Sequence, residues 1–83
     1  MATRTLEEPR VAALAQAVRR RREALGLRQE ELADLADCSE RFVYALERGK
    51  PSVQLAKTLD VLRVLGLGLA VGAGSGTVTD AFA

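Results

Sequence analysis

The side chains able to do chemistry in this sequence are mostly donors of hydrogen bonds and of positive charge. Arg19 to Arg22 stand in a row, and Arg28, Gln29, Ser39, Arg41, Tyr44, Arg48 and Lys50 follow at intervals. Such groups grip anions and read polar edges. Catalysis is not expected: there is no histidine, no strained nucleophile motif and no glycine-rich phosphate loop ahead of a helix. Acids do cluster at Glu30, Glu31, Asp34 and Asp37, but acidic residues alone do not make a site. The single cysteine, Cys38, excludes an intramolecular disulfide, and without histidine a metal site would need carboxylates alone. No cofactor or metal is expected, and Cys38 reads as a small buried hydrophobe rather than a redox switch.

These donors must be positioned by a small frame. Eighty-three residues make one domain with a single core. Apolar residues make up 48% of the chain and aromatics only 4%, so that core is built from Leu, Val and Ala. The net charge of +1 leaves no global attraction for a polyanion, and any basic face has to be local. Four consecutive arginines on a helix point in different directions, about 100° apart, so the row reads as a solvated face with one structural member and one or two free to meet phosphate. No run approaches the roughly 18 apolar residues of a membrane span, and the stretch before Val11 is polar rather than signal-like. A cytoplasmic protein without a membrane partner is expected.

Periodicity predicts an all-α chain. Pro9 opens a first helix carrying Val11, Leu14, Val18 and Leu25, and Gly26 stops it. QEELADLA forms a short second helix with Leu32, Leu35 and Ala36 inward and Glu30 and Glu31 near its positive start. Asp37 and Cys38 make a tight connection, Ser39 caps a third helix bearing Val43 and Leu46, and Gly49 and Pro51 end it. From Val53 a fourth helix places Leu55, Leu59 and Leu62 on one stripe, while Val61, Val64 and Leu65 form a second. The second stripe is either a lid over the core or a self-association surface, and chain length favours the latter.

Beyond Gly66, Leu67, Leu69 and Val71 alternate with small residues, the period of a short strand. A lone strand has two unpaired edges, and its cheapest partner is the same strand of another copy. The expected homodimer interface is therefore Val61, Val64, Leu65, Leu67, Leu69 and Val71. The folded unit is expected to span residues 9–71, with flexible segments at 1–8 and 72–83. Phe82 is the only large apolar group of the latter.

Two short helices joined at Asp37 to Ser39 would project the second as a probe for a DNA major groove. The run LRQEELADLADCSERFVYALERGKPS resembles the helix-turn-helix of Cro and repressor-type (XRE) proteins, carried by Gly26, Gln29, Leu32, Ala33, Val43, Leu46, Glu47 and Gly49 at that family's offsets. The plan of four helices plus a strand resembles HipB-type antitoxins. The resemblance, covering roughly Val11 to Val71, implies a lambda-repressor-like bundle of four to five helices whose C-terminal strand pairs across a dimer.

It also implies roles. Ser39, Glu40, Arg41 and Tyr44, at the start of the third helix, would face base edges. Arg41 either forks onto guanine O6 and N7 or clamps a phosphate. Tyr44 either contacts a thymine methyl or phosphate or packs against the second helix. Glu40 departs from the polar residue frequent there and suits only a cytosine N4 donor. Gln29 resembles the family glutamine that binds a phosphate. Arg48 and Lys50 match backbone-gripping positions, and Arg28, in place of a capping Thr or Ser, adds a cation near the phosphate path. Glu47 matches the acid that pairs with an arginine of the first helix, here Arg22, as a structural ion pair. Ala33 lets the second and third helices approach closely.

The implied function is a dimeric repressor on an inverted-repeat operator in double-stranded DNA, within an autoregulating antitoxin operon with a HipA-like kinase toxin as partner. Two alternatives stand beside it: a regulator without a toxin, and a helical protein-interaction adaptor that has lost DNA binding.

Overall fold

The computed structural model describes residues 8–70 and 78–79. The first helix, α1 (Pro9–Ala24), starts where the Glu8 carboxylate accepts the Arg10 backbone N–H at 2.7 Å, with Pro9 in the first turn where no N–H is needed. The Arg10 guanidinium and backbone N–H together hold the Glu8 carboxyl at a pKa of about 2, well below its ordinary 4.5. Because the folded value is depressed, the cap contributes fully above pH 4.5 and is lost as pH falls through about 2. Amide protection at Arg10 and Val11 is expected to fade over that interval while the rest of the chain remains protected.

The helices α2 (Gln29–Ala36), α3 (Glu40–Glu47) and α4 (Leu55–Leu65) follow. All four end in the same device, a left-handed residue after the last turn with two backbone N–H groups closing on the final carbonyls. Three of these residues are glycines, Gly26, Gly49 and Gly66. The fourth is Asp37 (φ 57°), the one non-glycine residue with positive φ among those described. Its Cβ crowds the backbone there, though aspartate tolerates the region better than most residues. Asp37→Gly is expected to gain up to about 0.5 kcal/mol, strain relief slightly exceeding the added chain entropy of glycine. A shift of the urea midpoint to lower concentration would contradict this.

Val18 of α1, Leu32, Ala33 and Ala36 of α2, Val43 and Leu46 of α3, and Val61, Leu62 and Leu65 of α4 form the core, with Leu67 beside them. No aromatic residue is among them, as the composition requires. Ala33 of α2 is buried in this core, and Cys38 is half-buried against it, its thiol pKa pushed up by burial.

Several inward assignments need correction. Leu35 is 61% exposed, because the buried arc of α2 is centred on Leu32, Ala33 and Ala36. Leu25 caps α1 and is exposed rather than buried. On α4 the first stripe is split: Leu62 is buried as expected, whereas Leu55 (64%) and Leu59 (45%) face outward, and Val61 and Leu65, expected at a dimer interface, lie in the chain's own core with Val64 half-buried against it. The polar member of the inward face explains the shift. Thr58 is buried, but its hydroxyl donates to the Gln54 carbonyl at 2.8 Å, so it packs as valine would. Thr58, Val61, Leu62 and Leu65 then form an unbroken i, i+3, i+4, i+7 stripe.

The strand also differs. Leu67 is a core residue, and β1 is Gly68–Leu69, pairing antiparallel with β2 (Val78–Thr79) of the same chain. Gly68 stands opposite Thr79 and Leu69 opposite Val78. An intrachain partner requires only loop closure, whose entropic cost grows slowly with length, whereas a second copy must also surrender free translation. Part of the segment 72–83, expected to be flexible, is therefore a strand. Val71 and Phe82 lie outside the described residues, as do residues 1–7. Among the described residues no helix is long and apolar enough to cross a membrane, and no cluster of three metal-ligating side chains occurs.

Candidate nucleic-acid interface

One buried carboxylate organises the region around α3. Glu47, in the last turn of α3, accepts Arg22 Nε at 2.6 Å and Nη2 at 3.0 Å, a two-pronged pair joining α3 to α1. Both side chains are sequestered, Arg22 12% and Glu47 4% exposed. Arg22 Nη1 donates to the Leu27 carbonyl at 2.9 Å, fixing the link between α1 and α2. The guanidinium pKa is raised above its usual value by the Glu47 hydrogen bonds, with burial opposing. The same carboxylate accepts the Gln29 side-chain amide at 3.1 Å. Glu47 thus ties the end of α1, the start of α2 and the end of α3 into one rigid corner.

Beside this corner lies a depression of about 240 Å³ lined by Arg19, Arg22, Gln29, Tyr44, Glu47 and Arg48. Tyr44 is half exposed, and the Arg48 guanidinium lies over its ring, 5.6 Å from the centroid. Gln29 reaches this depression with one amide hydrogen committed to Glu47; a second donor remains on the same nitrogen.

Another side of α3 borders a second depression of about 260 Å³, where Ser39, Arg41 and Lys50 come together with Ala45 and the turn Ser52 to Gln54. The Ser39 Oγ accepts the Phe42 backbone N–H at 3.0 Å, so it caps α3 as expected and retains its own hydrogen for donation. Arg41 is exposed and has no intramolecular ion pair among the described residues.

The structure does not gather every expected residue. Arg28 and Glu40 line neither depression. Arg28 lies 3.8 Å from Glu30 and 3.4 Å from Glu31, exposed pairs of the weak surface kind. Glu31 also accepts the Arg28 backbone N–H at 2.8 Å, and this bond, followed by the guanidinium, lowers its pKa. Arginine has no acceptor to return, so only half of a capping box is made. In the arginine row two members are structural rather than one: besides Arg22, Arg21 Nε donates to the Leu65 carbonyl at 2.8 Å.

Arg19 was expected only as one of the arginine row, and Ala45 was not among the expected site residues. The available signal was spacing, since Arg19 precedes Arg22 by three residues and Ala45 follows Arg41 by four, each pair sharing a helix face.

Residues 13–71 match the family described as "Helix-turn-helix domain". The chain is also similar to a protein of Sinorhizobium fredii (strain NBRC 101917 / NGR234) named "Uncharacterized HTH-type transcriptional regulator y4mF". The two are 42% identical over 66 residues, which are 80% of this chain and 83% of that protein. With α3 capped by Ser39, the α2–turn–α3 unit locked through Glu47 and the match spanning it, the chain belongs to the helix-turn-helix domain family.

Proposed function

We propose that this chain is a sequence-specific DNA-binding repressor of transcription that acts in the cytoplasm as a homodimer, each α3 entering the major groove in one half of an inverted repeat. The observation that carries the reading is the pair of donor-lined depressions beside α3: Gln29, Tyr44 and Arg48 in one, Ser39, Arg41 and Lys50 in the other. A helix in the major groove needs base contacts from its first residues and phosphate contacts from its surroundings. On this reading Arg41 reads a base, with Ser39 and Tyr44 beside it. Gln29, Arg48 and Lys50 hold the backbone, and Arg28 joins them by exchanging its weak surface pairs for a phosphate. Exposed Glu40 restricts the site to bases that can donate to it. The name of the Sinorhizobium relative supports regulation of transcription.

The dimer contact then uses what the core has left free. Val61, Leu65 and Leu67 are spent inside the chain, so Leu55 and Leu59 of α4, one turn apart and exposed, are the apolar surface offered to a second copy, with Leu69 as a neighbour in sequence to the core-facing Leu67. The more specific reading, an antitoxin that binds a HipA-like kinase, rests on the resemblance to HipB-type proteins. A kinase-like reading frame beside its own would support it, and an unrelated neighbour would remove the support.

The deciding experiment is binding to DNA from just upstream of the coding region over a range of salt. If Arg28, Arg48 and Lys50 of two copies each neutralise one phosphate, log affinity falls against log salt with a slope of about −5, the uncharged Gln29 adding nothing to it. Absence of binding at any salt leaves the protein-interaction adaptor as the alternative.

A further inference from the structure

A groove of about 500 Å³ lies on α1, away from the residues assigned to DNA. Ala13, Ala17 and Ala24 supply small apolar walls, Leu67 lines it from the start of the C-terminal segment, and Gln16, Arg20 and Arg21 edge it. Its chemistry is apolar within and basic at the rim. Arg21 is anchored through Nε on the Leu65 carbonyl, and among the described residues Arg20 has one side-chain contact, 3.5 Å to Gln16.

The strand register points a particular segment toward this groove. Leu69 faces Val78 and Gly68 faces Thr79, so β2 ends one residue pair short of Leu67, a lining residue of the groove. The backbone of β2 already runs beside α1. The residues that follow match the groove in chemistry. Asp80 is the only acid after Asp60, and Phe82 the only aromatic after Tyr44. Three residues beyond Thr79, Phe82 has a reach of about 10 Å.

We propose that the segment from Asp80 to Phe82 folds back onto α1 and fills this groove, the Phe82 ring against Ala13, Ala17 and Leu67 and the Asp80 carboxylate on the guanidinium groups of Arg20 and Arg21. The occupant is this chain's own segment rather than a partner protein because the register delivers it, and its acid and its ring complement the rim and the walls. The inference is independent of DNA binding.

The full chain, labelled on its alanine and leucine methyl groups, tests this by nuclear magnetic resonance. Nuclear Overhauser contacts are expected from the Phe82 ring to the Ala13 and Ala17 methyls, with movement of the Ala13, Ala17 and Leu67 methyl signals in Phe82→Ala. Asp80→Asn is expected to weaken the contacts without abolishing them, as does high salt. Absence of ring-to-methyl contacts, together with unmoved methyl signals in Phe82→Ala, overturns the proposal. So does finding the contacts only between differently labelled molecules in a mixed sample, which would assign the groove to a second copy.

Discussion

Replacing Glu47 by alanine is expected to cost about 3–5 kcal/mol of stability, the penalty of leaving a buried charge without its partner. Arg22 is only 12% exposed and would keep its charge, with two guanidinium nitrogens deprived of acceptors. Gln29 would lose its amide contact in the same step. Against a total of about 5–15 kcal/mol for a small domain, much of the stability goes. At roughly 4–8 °C per kcal/mol for a chain of this size, the melting point should fall by about 15 °C or more. Thermal and urea unfolding followed by far-ultraviolet circular dichroism measure it directly. A loss below about 1 kcal/mol would reduce the pair to an ordinary surface contact. The double replacement Arg22→Met with Glu47→Leu is expected to recover most of the loss, since an apolar pair of similar volume avoids the desolvation that either charge alone incurs.

The second large effect concerns recognition. Under the proposed function, Arg41→Ala should lower affinity for the preferred operator by about 1–3 kcal/mol, a factor of roughly 5 to 150, while binding to unrelated DNA changes little. Arg41 is exposed at the start of α3, so its removal exposes no core and strands no ion-pair partner among the described residues. Arg48→Ala is the contrast: it should weaken all sequences alike and reduce the steepness of the salt dependence by about one phosphate contact per copy. Competition titrations with specific and scrambled duplexes distinguish the two. Equal losses on both duplexes for Arg41→Ala would make it a phosphate clamp and return base reading to Ser39 and Tyr44. Because Arg48 lies over the Tyr44 ring, its replacement also frees that ring, and a change of preference at one base pair would show that the stack orients Tyr44.

Much of this molecule is legible residue by residue. Pro9 at the start of α1, Ser39 as the cap of α3, and Gly26, Gly49 and Gly66 after helix ends are signals contained within one helical turn, and all five act as their types require. The pairing of Arg22 with Glu47 followed from the family resemblance carried by the motif, and its geometry is two-pronged and enclosed. Ala33 and Cys38 sit where small side chains at a helix–helix turn must sit.

Other features required the assembled fold. Two stripes of α4 are apolar, and periodicity alone weights Leu55, Leu59 and Leu62 as heavily as Val61, Val64 and Leu65. The choice is made by the neighbours that α4 meets and by Thr58, whose hydroxyl is satisfied within its own helix and so counts as apolar. The same neighbours turn Leu35 outward. The strand partner was likewise undetermined by local pattern, because Gly68–Leu69 pairs with residues 78–79 of its own chain.

The donors around α3 show the same division. Which side chains could grip an anion or read a base is legible residue by residue, since charge and hydrogen-bonding capacity belong to the residue. Which of them converge is settled by the packed arrangement of the helices. It gathers Gln29, Tyr44 and Arg48 beside Glu47, brings Ser39, Arg41 and Lys50 together, and leaves Arg28 and Glu40 outside both groups. Convergence depends on the angles at which α1, α2 and α3 meet, and the buried Glu47 carboxylate, bound to Arg22 25 residues away in the chain, ties those helices together.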